Sequence, residues 1–120
     1  MILKTDTGKY FLVAESNYKI ELDWNEAINT SLLLGQNWRL PTKEELYLIY
    51  LNKDALKIKE EGAYWSSSET EELHIQTNSL GFEKGKSKNA WLLDFTNGEW
   101  VDFVQKNTKF KIRFVKDQDE

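Results

Sequence analysis

Three groups of residues in this 120-residue chain are of types that could do chemistry. The first is basic. Lys84, Lys86 and Lys88 alternate with Gly85 and Ser87, and Lys109, Lys111 and Arg113 alternate with Phe110, Ile112 and Phe114. Alternate residues of a strand share one face about 7 Å apart, so the second trio predicts a last strand with one wholly basic and one apolar face. Such a cluster can hold a sulfate, a phosphate or a carboxylate-rich partner through charge-assisted hydrogen bonds. It can equally be a lysine face that keeps an exposed strand soluble. The second group is Ser66, Ser67 and Ser68 with His74, the single histidine, beside Glu71 and Glu72. A serine nucleophile needs a base, and His74 is the sole histidine available for that role. Serines that end a strand and bond to backbone are the simpler expectation. The third group is acidic: Glu69, Glu71 and Glu72 could offer oxygens to a cation. Zinc without cysteine would need several carboxylates, and calcium takes about six to eight oxygens from a tight loop. A solvated acidic loop without metal is therefore expected.

Local elements must position these groups. Asp6-Thr7-Gly8-Lys9 is turn-type sequence before the apolar run Tyr10–Val13, which predicts an N-terminal hairpin or strand entry. Asp23 can cap a helix while Glu26 reaches back to it, with Trp24, Ala27, Ile28 and Leu32 recurring at helical spacing and Gly35 as the stop. Thr42-Lys43-Glu44-Glu45 is a cleaner capping box, with Leu40 and Leu46 placed to staple across it. The helix it opens, over about 42–52, carries Leu46 to Leu51 and is apolar nearly all round, so burial on more than one side is expected. Trp38 and Arg39 just before this cap read as architecture, the guanidinium forking onto carbonyls or a carboxylate.

Downstream, Ala63–Ser67 and Ala90–Phe95 read as strands, Thr96-Asn97-Gly98 as a hairpin turn, and Glu99–Val104 as its return. Trp65 and Trp91 are expected in the core. Trp100 alternates with Val101 and Phe103, which makes it a candidate ligand contact. Residues 68–89 follow neither period and form a long excursion, the kind of segment that is usually functional or irregular. Charge is segregated around it: residues 60–83 hold six acids and no Lys or Arg, whereas 84–116 hold eight basic residues against three acids. His74, Phe82, Lys84, Lys86 and Lys88 of the excursion join Trp100, Lys109, Lys111 and Arg113 as candidate ligand-binding residues.

With 40% hydrophobic and 13% aromatic residues the chain should fold, and its length predicts a single domain over 1–120. The absence of cysteine means that no disulfide staples it, and fits a reducing compartment. A net charge of −4 argues against general nucleic-acid binding. No stretch approaches the roughly 20 apolar residues of a membrane span, and the first residues lack signal-peptide features, so a cytoplasmic location is expected.

Trp38-Arg39-Leu40-Pro41-Thr42-Lys43-Glu44-Glu45-Leu46, then Tyr64-Trp65-Ser66-Ser67-Ser68-Glu69, then Ala90-Trp91 with Phe95-Thr96-Asn97-Gly98, then Ile112-Arg113-Phe114-Val115-Lys116 together resemble the Lcl C-terminal domain family, related to formylglycine-generating-enzyme and C-type-lectin-like folds. The resemblance covers roughly residues 20–116. It implies an α+β, C-type-lectin-like fold, two helices packed on a small, mostly antiparallel sheet, with long loops carrying recognition. It also implies relatives that act as adhesin tips for sulfated glycans. The oxidase chemistry of the formylglycine-generating relatives needs cysteine, which this chain lacks. Nor does it carry the Glu-Pro-Asn or Trp-Asn-Asp motif of calcium-dependent lectins.

The resulting expectation is a non-catalytic binding module, without cofactor, that recognises an anionic ligand or a partner protein through the 68–89 loop and the basic strand face. The alternatives are a cytoplasmic sequestering or inhibitor protein for a nucleotide-like small molecule, and a sulfated-glycan-binding adhesin module. Homo-oligomerisation also stays open.

Overall fold

The computed structural model describes residues 1–69, 73–76, 81–84, 89–102 and 105–118. In chain order the elements are β1 (Ile2–Lys4), β2 (Tyr10–Val13), α1 (Trp24–Leu34), α2 (Lys43–Leu51), β3 (Ala63–Glu69), β4 (Leu73–Gln76), β5 (Gly81–Lys84), β6 (Ala90–Asp94), β7 (Glu99–Val101) and β8 (Val115–Gln118). The strands form antiparallel sheets in the orders β1-β2-β8, β3-β6-β7 and β4-β5, and with the two helices they make an α+β fold.

The turn-type residues reverse the chain as expected. Thr5 N donates to Lys9 O at 2.8 Å, and Gly8 takes φ 88°, a region open to glycine without steric cost. This closes the β1–β2 hairpin, with Leu3 opposite Phe11. On its other side β2 pairs with β8, Val13 opposite Val115.

Both helices begin with complete capping boxes. Asp23 Oδ1 accepts from Glu26 N at 2.8 Å while Glu26 Oε1 accepts from Asp23 N at 3.0 Å. Thr42 Oγ1 accepts from Glu45 N at 3.2 Å while Glu45 Oε1 accepts from Thr42 N at 2.8 Å. Gly35 ends α1. Helix α1 buries Ala27 and Ser31, but Leu32, expected on its inner stripe, is exposed with Leu33 and Leu34. In α2, Leu46 and Ile49 are buried while Tyr47 and Leu51 are 40% and 58% exposed, so burial runs along one side rather than all round. Leu40 and Leu46 are both buried but enter different core clusters.

Strands β3 and β6 explain why there are two clusters. In register, Tyr64 faces Leu93 and Trp65 faces Leu92. Tyr64 and Leu93 pack with Phe11, Val13, Leu46, Ile49, Phe95 and Val115. Trp65 and Leu92 pack with Leu22, Ala27, Leu40, Ala90, Ile112 and Phe114. The β3–β6 pair is thus buried on both faces, which is what the unbroken apolar run Ala90–Leu93 encodes.

Two expectations are corrected. The excursion contains the regular β4–β5 pair, with His74 opposite Glu83 and Ile75 opposite Phe82. Residues 109–114 are not a two-faced strand. They run extended between β3 and the segment around 14–22: Lys111 N donates to Ala63 O and Trp65 N to Lys111 O on one side, and Tyr18 N donates to Ile112 O and Ala14 N to Phe114 O on the other. Bonded on both edges, the segment buries Ile112, Arg113 and Phe114 in succession.

Candidate functional site

The three serines fix the first turn of α2 over the sheet. Ser66 Oγ donates to Trp91 O at 2.8 Å, Ser67 N donates to Pro41 O at 2.7 Å, and Ser68 Oγ accepts from Lys43 N at 2.9 Å. They occupy the stretch where the β3–β6 register shifts, between Trp65 and Glu69. The simpler expectation holds for Ser66 and Ser68, whose hydroxyls serve the backbone.

That docking brings Lys43 across β6 and β7. Its ammonium Nζ lies 3.6 Å from the ring centroid of Trp91 and 5.0 Å from that of Trp100. The two indoles stand nearly perpendicular, 81° between planes with centroids 6.1 Å apart. One helical turn beyond Lys43, Tyr47 sets its ring 6.3 Å from Trp100 and 6.2 Å from Tyr50. Lys43, Glu44, Tyr47 and Trp100 line a groove of about 400 Å³. Glu44 Oε1 accepts from the backbone N of Asp6 at 3.0 Å. The groove offers aromatic faces, one ammonium and one carboxylate, which suits it to stacking on a ligand and meeting its charge.

Of the residues expected from sequence, Trp100 lines this groove. Trp91, expected in the core, is half-buried and supports Lys43 from β6. Lys43, Glu44 and Tyr47 were not anticipated, because the helix read as buried all round. The signal for Lys43 and Tyr47 is their i, i+4 spacing with Leu51, which puts these three on one stripe; nothing comparable marks Glu44.

The basic face does not form. Arg113 is only 4% exposed; its Nη1 donates to Ala14 O at 2.8 Å and its Nε has no partner. Burial holds this guanidinium below its ordinary pKa. Lys111 Nζ turns to Glu21 at 3.4 Å, and Lys109 is exposed. The side chains of His74, Phe82 and Lys84, and all of Lys86 and Lys88, lie outside the described residues. A second hollow of about 270 Å³ lies beside Lys111, lined also by Asn17, Tyr18, Glu21 and Glu60. There Asn17 Nδ2 donates to Tyr64 Oη at 2.7 Å and to Glu60 Oε2 at 3.0 Å.

Arg39 is architectural, as its place before the cap predicts. Its guanidinium reaches Glu45 and Asp117, tying the entry of α2 to β8, and Lys116 lies over the Trp38 ring at 4.7 Å.

Among known families, the profile of the Lcl C-terminal domain matches residues 6–116. No curated protein matches the chain.

Proposed function

The chain belongs to the Lcl C-terminal domain family, and from that premise we propose that it is a non-catalytic binding module for an anionic ligand or a partner protein. The observation that carries this reading is the solvent-facing groove of Tyr47 and Trp100 with the Lys43 ammonium beside it. Aromatic side chains left in water cost apolar exposure, and such surfaces recur where one protein meets another or a ligand stacks. Lys43 supplies the charge-assisted donor that the basic strand face was expected to supply. The likeness to C-type-lectin-like folds, in which loops on a rigid sheet carry recognition, supports a contribution from the 68–89 excursion. A cytoplasmic site of action belongs to the same proposal and is supported by the absence of cysteine.

A resin carrying a sulfated polysaccharide tests the anionic branch. Wild-type protein should be retained at low salt and released as ionic strength rises, because screening acts over about 8–10 Å at physiological strength. Lys43→Ala should elute earlier and Trp100→Ala should scarcely bind. Wild type in the flow-through at low salt would remove the polyanion as ligand.

A further inference from the structure

The Lys43 ammonium lies over two aromatic rings, those of Trp91 and Trp100. Its two rings meet at close to a right angle, so they form two walls of a corner and the cation sits within it. Tyr47 stands beside Trp100 as a third aromatic surface, and Glu44 adds a carboxylate to the same groove. Aromatic walls with a nearby acid are the composition that selects a quaternary ammonium group. The negative ring faces attract a diffuse cation that has no N–H to lose to water, and the carboxylate adds long-range attraction.

A primary ammonium is a poor tenant of such a corner. It is compact and strongly hydrated, and it gives up water hydrogen bonds to lie on a ring face. A tetraalkylated nitrogen surrenders none. We infer that Trp91, Trp100, Tyr47 and Glu44 form a receptor for a trimethylammonium group, which Lys43 occupies as a tethered stand-in.

This rests on the groove being the recognition surface and narrows what it recognises. An incoming trimethylammonium displaces the Lys43 side chain, and the freed ammonium then meets an anion carried by the same ligand. The ligand class is a zwitterion of the phosphocholine type, which reconciles an anion-binding role with a cation-binding corner.

The experiment is an NMR titration following the indole N–H resonances of wild type, Lys43→Met and Trp100→Ala with tetramethylammonium, phosphocholine and inorganic phosphate as probes. Removing the competing side chain should tighten tetramethylammonium binding at least tenfold in Lys43→Met. Phosphocholine should bind wild type more tightly than tetramethylammonium does, and that preference should vanish in Lys43→Met. Trp100→Ala should bind neither. Tyr47→Ala, at an exposed position, serves as a second loss-of-wall variant if Trp100→Ala unfolds, and should weaken tetramethylammonium binding in the same way. Equal tetramethylammonium affinity in wild type and Lys43→Met, or no saturable shift in either, would overturn the assignment and leave a surface cation–aromatic contact. Inorganic phosphate binding wild type as tightly as phosphocholine would also overturn it. Retention on the polysaccharide resin is read separately, so the corner can fail while the anion-binding role stands.

Discussion

Arg39 and Glu45 meet through both arms of the guanidinium, Nη1 to Oε1 at 2.6 Å and Nη2 to Oε2 at 2.8 Å, while the same Glu45 oxygen Oε1 accepts from Thr42 N. One carboxylate thus closes the helix cap and fixes the segment that leads into it. The entry of α2, and with it Lys43 at the groove, depends on that carboxylate being ionised.

Acid should loosen this joint. Burial pushes the Glu45 carboxyl up, but the Arg39 fork and the Thr42 backbone bond outweigh it and hold the group below its ordinary value. A carboxyl depressed in the folded state stabilises fully above the unfolded value, about 4.3 for Glu, and that contribution fades as pH falls through the folded-state value. Glu45→Gln should lower stability by about 1–3 kcal/mol at neutral pH, discounted because Arg39 is about a third exposed. The gap in Tm between this variant and wild type should shrink on acidification from pH 7 toward roughly pH 3. A gap constant across that range would show that the pair adds nothing.

Gly98→Ala should be costly. Gly98 has φ 75°, and a Cβ there would fall 2.7 Å from the ring of Tyr50. Backbone strain of about 1–3 kcal/mol is expected, together with a displaced Tyr50, the neighbour of Tyr47 in the ring series. Denaturant unfolding reads the loss. Unchanged stability would mean that the turn relaxes freely.

Replacing residues 70–87 with a short Gly/Ser linker should leave a cooperatively folding protein. Among the described residues β4 and β5 pair only with each other, outside both three-stranded sheets. Loss of a cooperative thermal transition would show that the excursion completes the core, with Leu80 and Phe82 as its anchors.

Arg113 and the neighbouring lysines should respond differently from a basic face. Arg113→Met should leave stability within about 1 kcal/mol of wild type, since the lost bond to Ala14 O and the lost attraction to Glu60 are offset by relief of the cost of burying the guanidinium. Lys109→Ser should change stability by less than about 0.5 kcal/mol, as surface substitutions do. A loss of several kcal/mol in Arg113→Met, read by urea unfolding, would give that guanidinium a structural role beyond its bond to Ala14 O.

Local signals carried much of this fold. Both capping boxes, the Gly8 turn, the Asn97-Gly98 turn and the Arg39–Glu45 fork are written in short-range chemistry, where the partners sit a few residues apart, whereas the bond from Arg39 to Asp117 spans 78 residues. What was not legible depended on tertiary partners. Phe110–Phe114 alternates like a surface strand, yet bonding on both edges buries three successive residues, Arg113 among them. Tyr47 reads as core in a helix of apolar residues, and only the placement of Trp100 beside it reveals a groove. The Ser66 and Ser68 hydroxyls follow the simpler expectation, because a run of hydroxyls finds backbone partners in most settings.

Strand β2 lies between β1 and β8, so one core cluster takes Phe11 and Val13 from the first residues of the chain and Val115 from nearly the last. During synthesis this cluster cannot close until residue 115 has left the ribosome, and until then the β1–β2 hairpin presents an open, apolar edge. The entropy of closing so long a loop is spent before its contacts form, and pairing at such separation slows folding relative to local contacts. A nascent chain stalled before β8 therefore carries an unpaired strand edge open to strand-to-strand association.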